Sequence, residues 1–395
     1  MSKHHLDDLA LFGGPKLFTR PVSTSNLVKP DLHGFLSLLK PALSDDGEAS
    51  LVQRLEEELA EFHQTDHCVT VCSGFWALVL AIKAIAKPGK TEVIMPSLTY
   101  RRLADVVAWT GLIPRFCEVD PSNLAISAST AGEHISPNTA LIIGVHPIVN
   151  CCDSFGLEEL GAAHDIPVLF DGVESVYETL RGKKIGGFGR AECFSFHASK
   201  LINGFEGGYI TTQDAQLAAA LRDLREGLEI GSARIKKMPI GLPAVHAAMA
   251  LQGLREVHQH VLHNREIYRQ YQTQLTKLPG LKLLSFNEAE HTSFKNIVVK
   301  LLDDWHLPRS ITIELLNAEG ILSRAYYDPP LHQKNMAYPH MRTPLPFTET
   351  ASKQYMLMPC GYQVSTGDVE RVIDLLVWVN SHAGPIRARR EGAHE

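Results

Sequence analysis

Along the chain, short unbroken apolar runs alternate with longer stretches in which apolar residues recur every three or four positions. The runs lie at Cys68–Cys72, Glu92–Met95, Pro114–Glu118, Ala140–Val145, Pro167–Phe170, Glu192–Phe196 and Gly208–Thr212. Apolar residues on successive positions are what a strand needs when helices cover both faces of its sheet. The intervening stretches are mostly helical, which gives the βαβα order of a mainly parallel sheet. Ahead of the first run, Leu51, Val52, Leu55, Leu59 and Phe62 recur at helical spacing among glutamates and predict an amphipathic helix. Asp214 to Leu228 reads as a helix, and a long helical stretch from about Pro243 to Leu278 bridges to a second region. There Leu281–Leu284 and Asn296–Leu302 read as strands, with helices after Pro308 and after Gly367. The expected division is a large α/β domain over 1–250, a small α+β domain over 251–385 and a tail over 386–395. Arg387 to Glu395 is charged and lacks large apolar side chains, so that tail is expected to be disordered.

With 395 residues, 45% of them hydrophobic, the chain can bury a core large enough for this plan. Its formal net charge of −6 leaves no polybasic footprint. Nucleic acid and a membrane surface are therefore unexpected partners, and an acidic substrate would have to be gripped by local cations. No apolar run approaches the length of a bilayer span, and Met1-Ser-Lys-His-His-Leu-Asp-Asp lacks the apolar core of a signal peptide, so a cytoplasmic location is expected. Most of the seven cysteines sit in or beside apolar runs and read as reduced, buried thiols. His258, His260 and His263 lack zinc-helix spacing, and no metal site is expected. The glycines between Gly182 and Gly189 read as a surface hairpin rather than a dinucleotide fingerprint.

Two residues carry candidate chemistry. Lys200 closes Cys193-Phe-Ser-Phe-His-Ala-Ser-Lys200 and precedes Leu-Ile-Asn-Gly-Phe-Glu206-Gly207-Gly208. A lysine held after an apolar strand can form a Schiff base with a carbonyl cofactor. Asp171 ends the run Ile166-Pro-Val-Leu-Phe-Asp171. Pyridoxal phosphate (PLP) needs both groups, the lysine for attachment and a carboxylate beside a protonated pyridine nitrogen.

On these residues, and on Val69-Thr-Val-Cys-Ser73-Gly74, Glu92-Val-Ile-Met-Pro96-Ser97-Leu98-Thr99-Tyr100 and Ile143-Gly-Val-His146, the chain resembles the DegT/DnrJ/EryC1/StrS family of PLP-dependent sugar aminotransferases. Leu9-Ala-Leu-Phe-Gly13-Gly14-Pro15, Ser323-Arg324-Ala-Tyr326-Tyr327 and Leu345-Pro346-Phe-Thr-Glu349 look like the subgroup that aminates C4 of dTDP-4-keto-6-deoxyglucose. The resemblance implies a fold type I PLP-dependent transferase, an aspartate aminotransferase-like α/β fold with a mainly parallel sheet, helices on both faces and a small C-terminal α+β domain. It implies an amino acid, plausibly glutamate, as donor, a nucleotide-linked keto-deoxysugar as acceptor, and a homodimer with active sites at the subunit interface. Residue by residue, it makes Lys200 and Asp171 catalytic. It places Ser73, Gly74 and Ser195 at the phosphate, Tyr100 on the cofactor ring, Glu174 by the phenolic oxygen and His197 near the attachment point. Tyr326 and Tyr327 match substrate-side positions.

Four departures mark a remodelled pocket. Phe75 replaces the threonine whose hydroxyl adds a phosphate contact in relatives, and Trp76 follows it. Glu174 stands where relatives carry Gln or His; beside a phenolate it must be protonated, turned away or acting as a base. Arg101-Arg102 replaces small residues and can grip a carboxylate or phosphate, or can be solvated surface charge. Pro239-Ile-Gly-Leu242 occupies the segment from which relatives send an asparagine to the neighbouring subunit's phosphate, with Arg234, Lys236 and Lys237 as substitute charges. Two alternatives to the sugar aminotransferase stay open here. One is a PLP enzyme repurposed for a carboxylate-bearing, amino-acid-like substrate in natural-product biosynthesis, and the other a catalytically weak regulatory or scaffold protein.

Overall fold

A computed structural model describes residues 3–25, 28, 30–43, 47–230, 233–236 and 240–392. Its centre is a seven-stranded sheet: β1 His67–Val71, β2 Glu92–Pro96, β3 Ile113–Cys117, β4 Thr139–Val145, β5 Val168–Asp171, β6 Ala191–Ser195 and β7 Gly208–Thr212. The spatial order is β3-β2-β4-β5-β6-β7-β1. Only β7 runs antiparallel to its neighbours; the pairs β2·β3, β2·β4, β4·β5 and β5·β6 are parallel.

Every residue of β2, β4 and β7 is buried, which is why the runs are apolar at successive positions. Period-two geometry sends adjacent side chains to opposite faces. Ile142, Phe170 and Phe194 join one core with Leu55 and Leu59 of the Gly47–His63 helix; Ile143, Leu169 and Cys193 join another with Leu78 and Leu80 of the Gly74–Ile85 helix. The glycine-rich segment after Glu178 is a hairpin pairing Thr179–Leu180 with Lys183–Lys184.

The 32-residue helix Ala244–Leu275, about 48 Å long at 1.5 Å per residue, runs from the large sheet to the second region. Its Tyr268 and Tyr271 are fully buried in a third core built on an antiparallel sheet in the order Leu281–Leu283, Ile297–Leu301, Tyr355–Met358, Arg324–Ala325. Two assignments from the sequence change. The N-terminal segment, expected in the large domain, packs on the small one: Val22 pairs with Ile321, Phe18 enters the third core, and the fully buried Glu319 accepts the amides of Ala10 (2.7 Å) and Leu17 (2.8 Å) and pairs with Lys3 (2.9 Å). The expected disordered tail is instead helical over Ala383–Gly392. Ala383 and Ile386 anchor it in the core, and Arg390 binds Glu314 through two hydrogen bonds of 2.7 and 3.1 Å. Low apolar content hid this helix, because two buried side chains and an ion pair suffice to dock it. No helix among the described residues is long and apolar enough to cross a membrane.

Candidate active site at the carboxyl edge of the sheet

In an open α/β sheet, the loops after the parallel strands gather at one edge, where the strand order reverses. Here β1, β2, β4, β5 and β6 end in Ser73, Tyr100, His146, Asp171 and Ser195 or lead directly to them. The antiparallel β7 begins at that same edge with Gly208.

The phosphate-sized feature is the start of the Gly74–Ile85 helix. Ser73 caps it by accepting the Trp76 amide at 3.3 Å, and the first amides of a helix have no intrahelical acceptor. The packing around this turn admits only glycine. A Cβ on Gly74 would lie 2.9 Å from Ser195 Cβ and 3.2 Å from its Oγ, and a Cβ on Gly208 would lie 2.6 Å from the Gly74 nitrogen. Gly207, at φ +129, supplies the turn that brings β7 in. Ser73, Gly74 and Ser195 thus converge, while Phe75 contributes only its backbone. Its ring packs edge-on to Trp76 and Trp109, and the Arg102 guanidinium lies 4.9 Å above it.

Asp171 lies at the buried end of the site, 5% exposed, and its Oδ1 accepts the Val173 amide at 3.2 Å. Burial pushes its carboxyl up to about 6, against the pull of that amide and of the Lys200 charge. A buried carboxylate this short of partners suits a cationic ring nitrogen. Behind it, His146 stacks on Phe170 (5.6 Å between centroids), accepts the Cys152 amide at 3.3 Å, and sets Nε2 3.6 Å from Glu192 Oε2.

Lys200 Nζ donates to Glu174 Oε1 at 2.5 Å. Oε2 of the same carboxylate accepts from Lys295 Nζ at 2.7 Å and from Asn296 Nδ2 at 3.3 Å. Burial alone would raise the Glu174 carboxyl; the charges and hydrogen bonds of the two lysines outweigh it and hold the group well below the ordinary range. Glu174 is therefore ionised and directed at the lysine. Asn296 enters the sequence reading only as the start of a strand, and Lys295 not at all. A lysine next to a run destined for burial was the available signal.

Other predicted residues divide. Tyr100 is 40% exposed at the end of β2, beside exposed Arg101 and Arg102, the latter 3.6 Å from Asp105. Tyr327 borders the site: burial and the charges of Glu174 and Asp171 push its hydroxyl well up, and its φ of +45 is a strained value for a bulky residue. Tyr326 is a correction. It is fully buried in the third core, where it accepts the Ile148 amide at 3.4 Å, so its side chain offers no surface to a substrate. His197 is half-exposed: its ring meets Ser199 (2.9 Å) and Glu206 (3.7 Å), while its amide donates to Ser195 Oγ at 3.2 Å. Lys237 and Pro239 lie outside the described residues.

The donor set fits PLP: an anion cradle at a helix start, a buried carboxylate with no salt bridge among the described residues, and a lysine in the loop after Ser195 whose charge reaches that carboxylate. Comparisons with known proteins agree. Residues 43–377 match the DegT/DnrJ/EryC1/StrS aminotransferase family. The chain is 31% identical to GDP-perosamine synthase of Caulobacter vibrioides over 82% of its own length and 89% of that protein. It is 28% identical to the spore coat polysaccharide biosynthesis protein SpsC of Bacillus subtilis, over 82% and 88%. The crystal structure of DesI, determined in the presence of its TDP-sugar product, superposes with a TM-score of 0.91 at 30% identity, covering 98% of this chain and all of that one. The chain belongs to the DegT/DnrJ/EryC1/StrS aminotransferase family and is a PLP-dependent aminotransferase.

Proposed function

We propose that this aminotransferase moves an amino group from an amino acid, glutamate in the simplest case, to the keto carbon of a nucleotide-linked deoxysugar in amino-sugar biosynthesis. The observation that carries the reading is the convergence of Lys200, Asp171 and the Ser73-Gly74-Ser195 cradle at one sheet edge, in a chain whose relatives include a GDP-perosamine synthase and a protein crystallised with its TDP-sugar product.

When bound, PLP supplies an electron sink that stabilises negative charge on the carbon losing its proton. Asp171 holds the ring nitrogen protonated, and Ser73, Gly74 and Ser195 anchor the phosphate. Lys200 would supply the amine that secures the cofactor, and the same amine, when free, could accept or donate a proton as a general base or acid. Glu174, ionised beside it, takes part in orienting that amine. Tyr100 would be the residue to cover the ring, and Arg101, Arg102 and Tyr327 would be the groups to meet the anionic part of a substrate.

A cytoplasmic location and a homodimer belong to the same proposal. All seven cysteines are free, as in a reducing compartment, and Tyr100, Trp109 and Phe205, each at least 40% exposed, are large apolar side chains that a second subunit would cover. The test is to incubate the PLP-loaded protein with glutamate and with TDP- and GDP-linked 4-keto-6-deoxyhexoses, and to look by mass spectrometry for 2-oxoglutarate and an aminated sugar nucleotide in equal amounts. Formation of 2-oxoglutarate with no sugar nucleotide aminated would overturn the acceptor.

A further inference from the structure

Glu174 stands between two lysines that reach it from different parts of the fold. Lys200 comes from the loop between β6 and β7 and takes Oε1 at 2.5 Å; Lys295 comes from the small domain, just ahead of the Ile297–Leu301 strand, and takes Oε2 at 2.7 Å. Lys295 is 6% exposed, a position where a lysine is rare unless its charge is paired. Lys200 has a second duty. Whenever its nitrogen is engaged by cofactor or proton transfer it must give up at least part of this salt bridge, and a buried carboxylate left unpaired is costly. Lys295 has no such duty, and Asn296 donates to the same oxygen at 3.3 Å.

We propose that Lys295 is a positioning residue for the cofactor lysine: through Oε2 it holds Glu174 aimed at the Lys200 nitrogen, and its charge cancels that of Glu174 while Lys200 is engaged. The proposal rests on the cofactor site described above and adds a partner from the small domain to it. Among the described residues, the Glu174 charge also reaches Asp171 of β5 and the hydroxyls of Tyr326 and Tyr327, and the Arg324 guanidinium acts on Lys295. Burial pulls the Lys295 ammonium down and Glu174 restores part of the loss, and among the described residues Glu174 is the carboxylate that pairs with it.

Removing the Lys295 charge leaves the Glu174 anion uncancelled next to the Lys200 nitrogen. Any protonated form of the cofactor linkage is then favoured, so the pH midpoint of its visible absorption band moves upward. Unit charges this close give a shift of about one pH unit or more. The experiment follows that band, in the PLP-loaded protein, across pH for wild type, Lys295→Met, Lys295→Gln and Lys295→Arg. An upward shift in the two neutral variants, reversed in Lys295→Arg, is expected. A midpoint unmoved in a neutral variant that folds and binds PLP overturns the proposal. If neither neutral variant folds while Lys295→Arg does, the pair serves the fold alone and the proposal likewise fails. A wild-type protein with no band at all would instead refute the cofactor site.

Discussion

Asp171 shows how a single buried group ties stability to function. In the cofactor-free chain its carboxyl stays protonated up to about 6, whereas an unfolded aspartate loses its proton near 3.9. Between those values the folded state binds more protons than the unfolded one, so stability falls as pH rises from about 4 to about 6 and stays lower above. This is the opposite of the usual aspartate. We expect cofactor-free Asp171→Asn to be more stable than wild type by about 2 kcal/mol near pH 7.5, with the gap closing toward about pH 4, and to hold PLP much less tightly. Urea melts of both proteins at the two pH values check this, and a gap independent of pH contradicts it. At this scale Lys200, Asp171, Ser73 and Ser195 were legible, because a strand end leaves few places for a side chain to go. Lys295 was not, since its partner is 121 positions away in sequence. Tyr326 misled because one residue separates a core position from one bordering the site.

At the level of elements, the cradle depends on how tightly β7 and the start of the Gly74–Ile85 helix approach. A methyl group on Gly208 would collide with backbone at 2.6–2.7 Å, where no flexible side chain can yield. Gly208→Ala is therefore expected to cost about 1–3 kcal/mol and to weaken PLP binding at least tenfold, measured by thermal melts and cofactor titration. A variant with unchanged cofactor affinity would show that the turn does not hold the phosphate. The seven central strands were legible because burial on both faces writes an unbroken apolar run into the sequence. The C-terminal helix was not, because Ile386 is its one large apolar anchor, and its docking depends on Glu314 and on the Thr366–Ser381 helix before it. Ile386→Ala should destabilise the protein by about 2–4 kcal/mol, while an unstructured tail would tolerate it without effect.

For the whole molecule, the candidate site draws on both larger sheets: Glu174 and Lys200 lie in loops of the seven-stranded sheet, Lys295 and Tyr327 beside strands of the four-stranded one. Helix Ala244–Leu275 joins the two parts and was legible from its apolar spacing, whereas the docking of the N-terminal segment on Glu319 was not, because its partner lies 302 to 309 positions away. A second copy covering the exposed Tyr100, Trp109 and Phe205 side chains predicts twice the chain mass, about 87 kDa, in light scattering, and lower PLP affinity on dilution to monomer. The most direct test of the account is the absorbance of the purified protein with PLP, before and after glutamate, beside Lys200→Ala. The account predicts a band at about 410–430 nm that glutamate bleaches and that the variant lacks. A band that survives in Lys200→Ala, or one that glutamate leaves untouched, would contradict it.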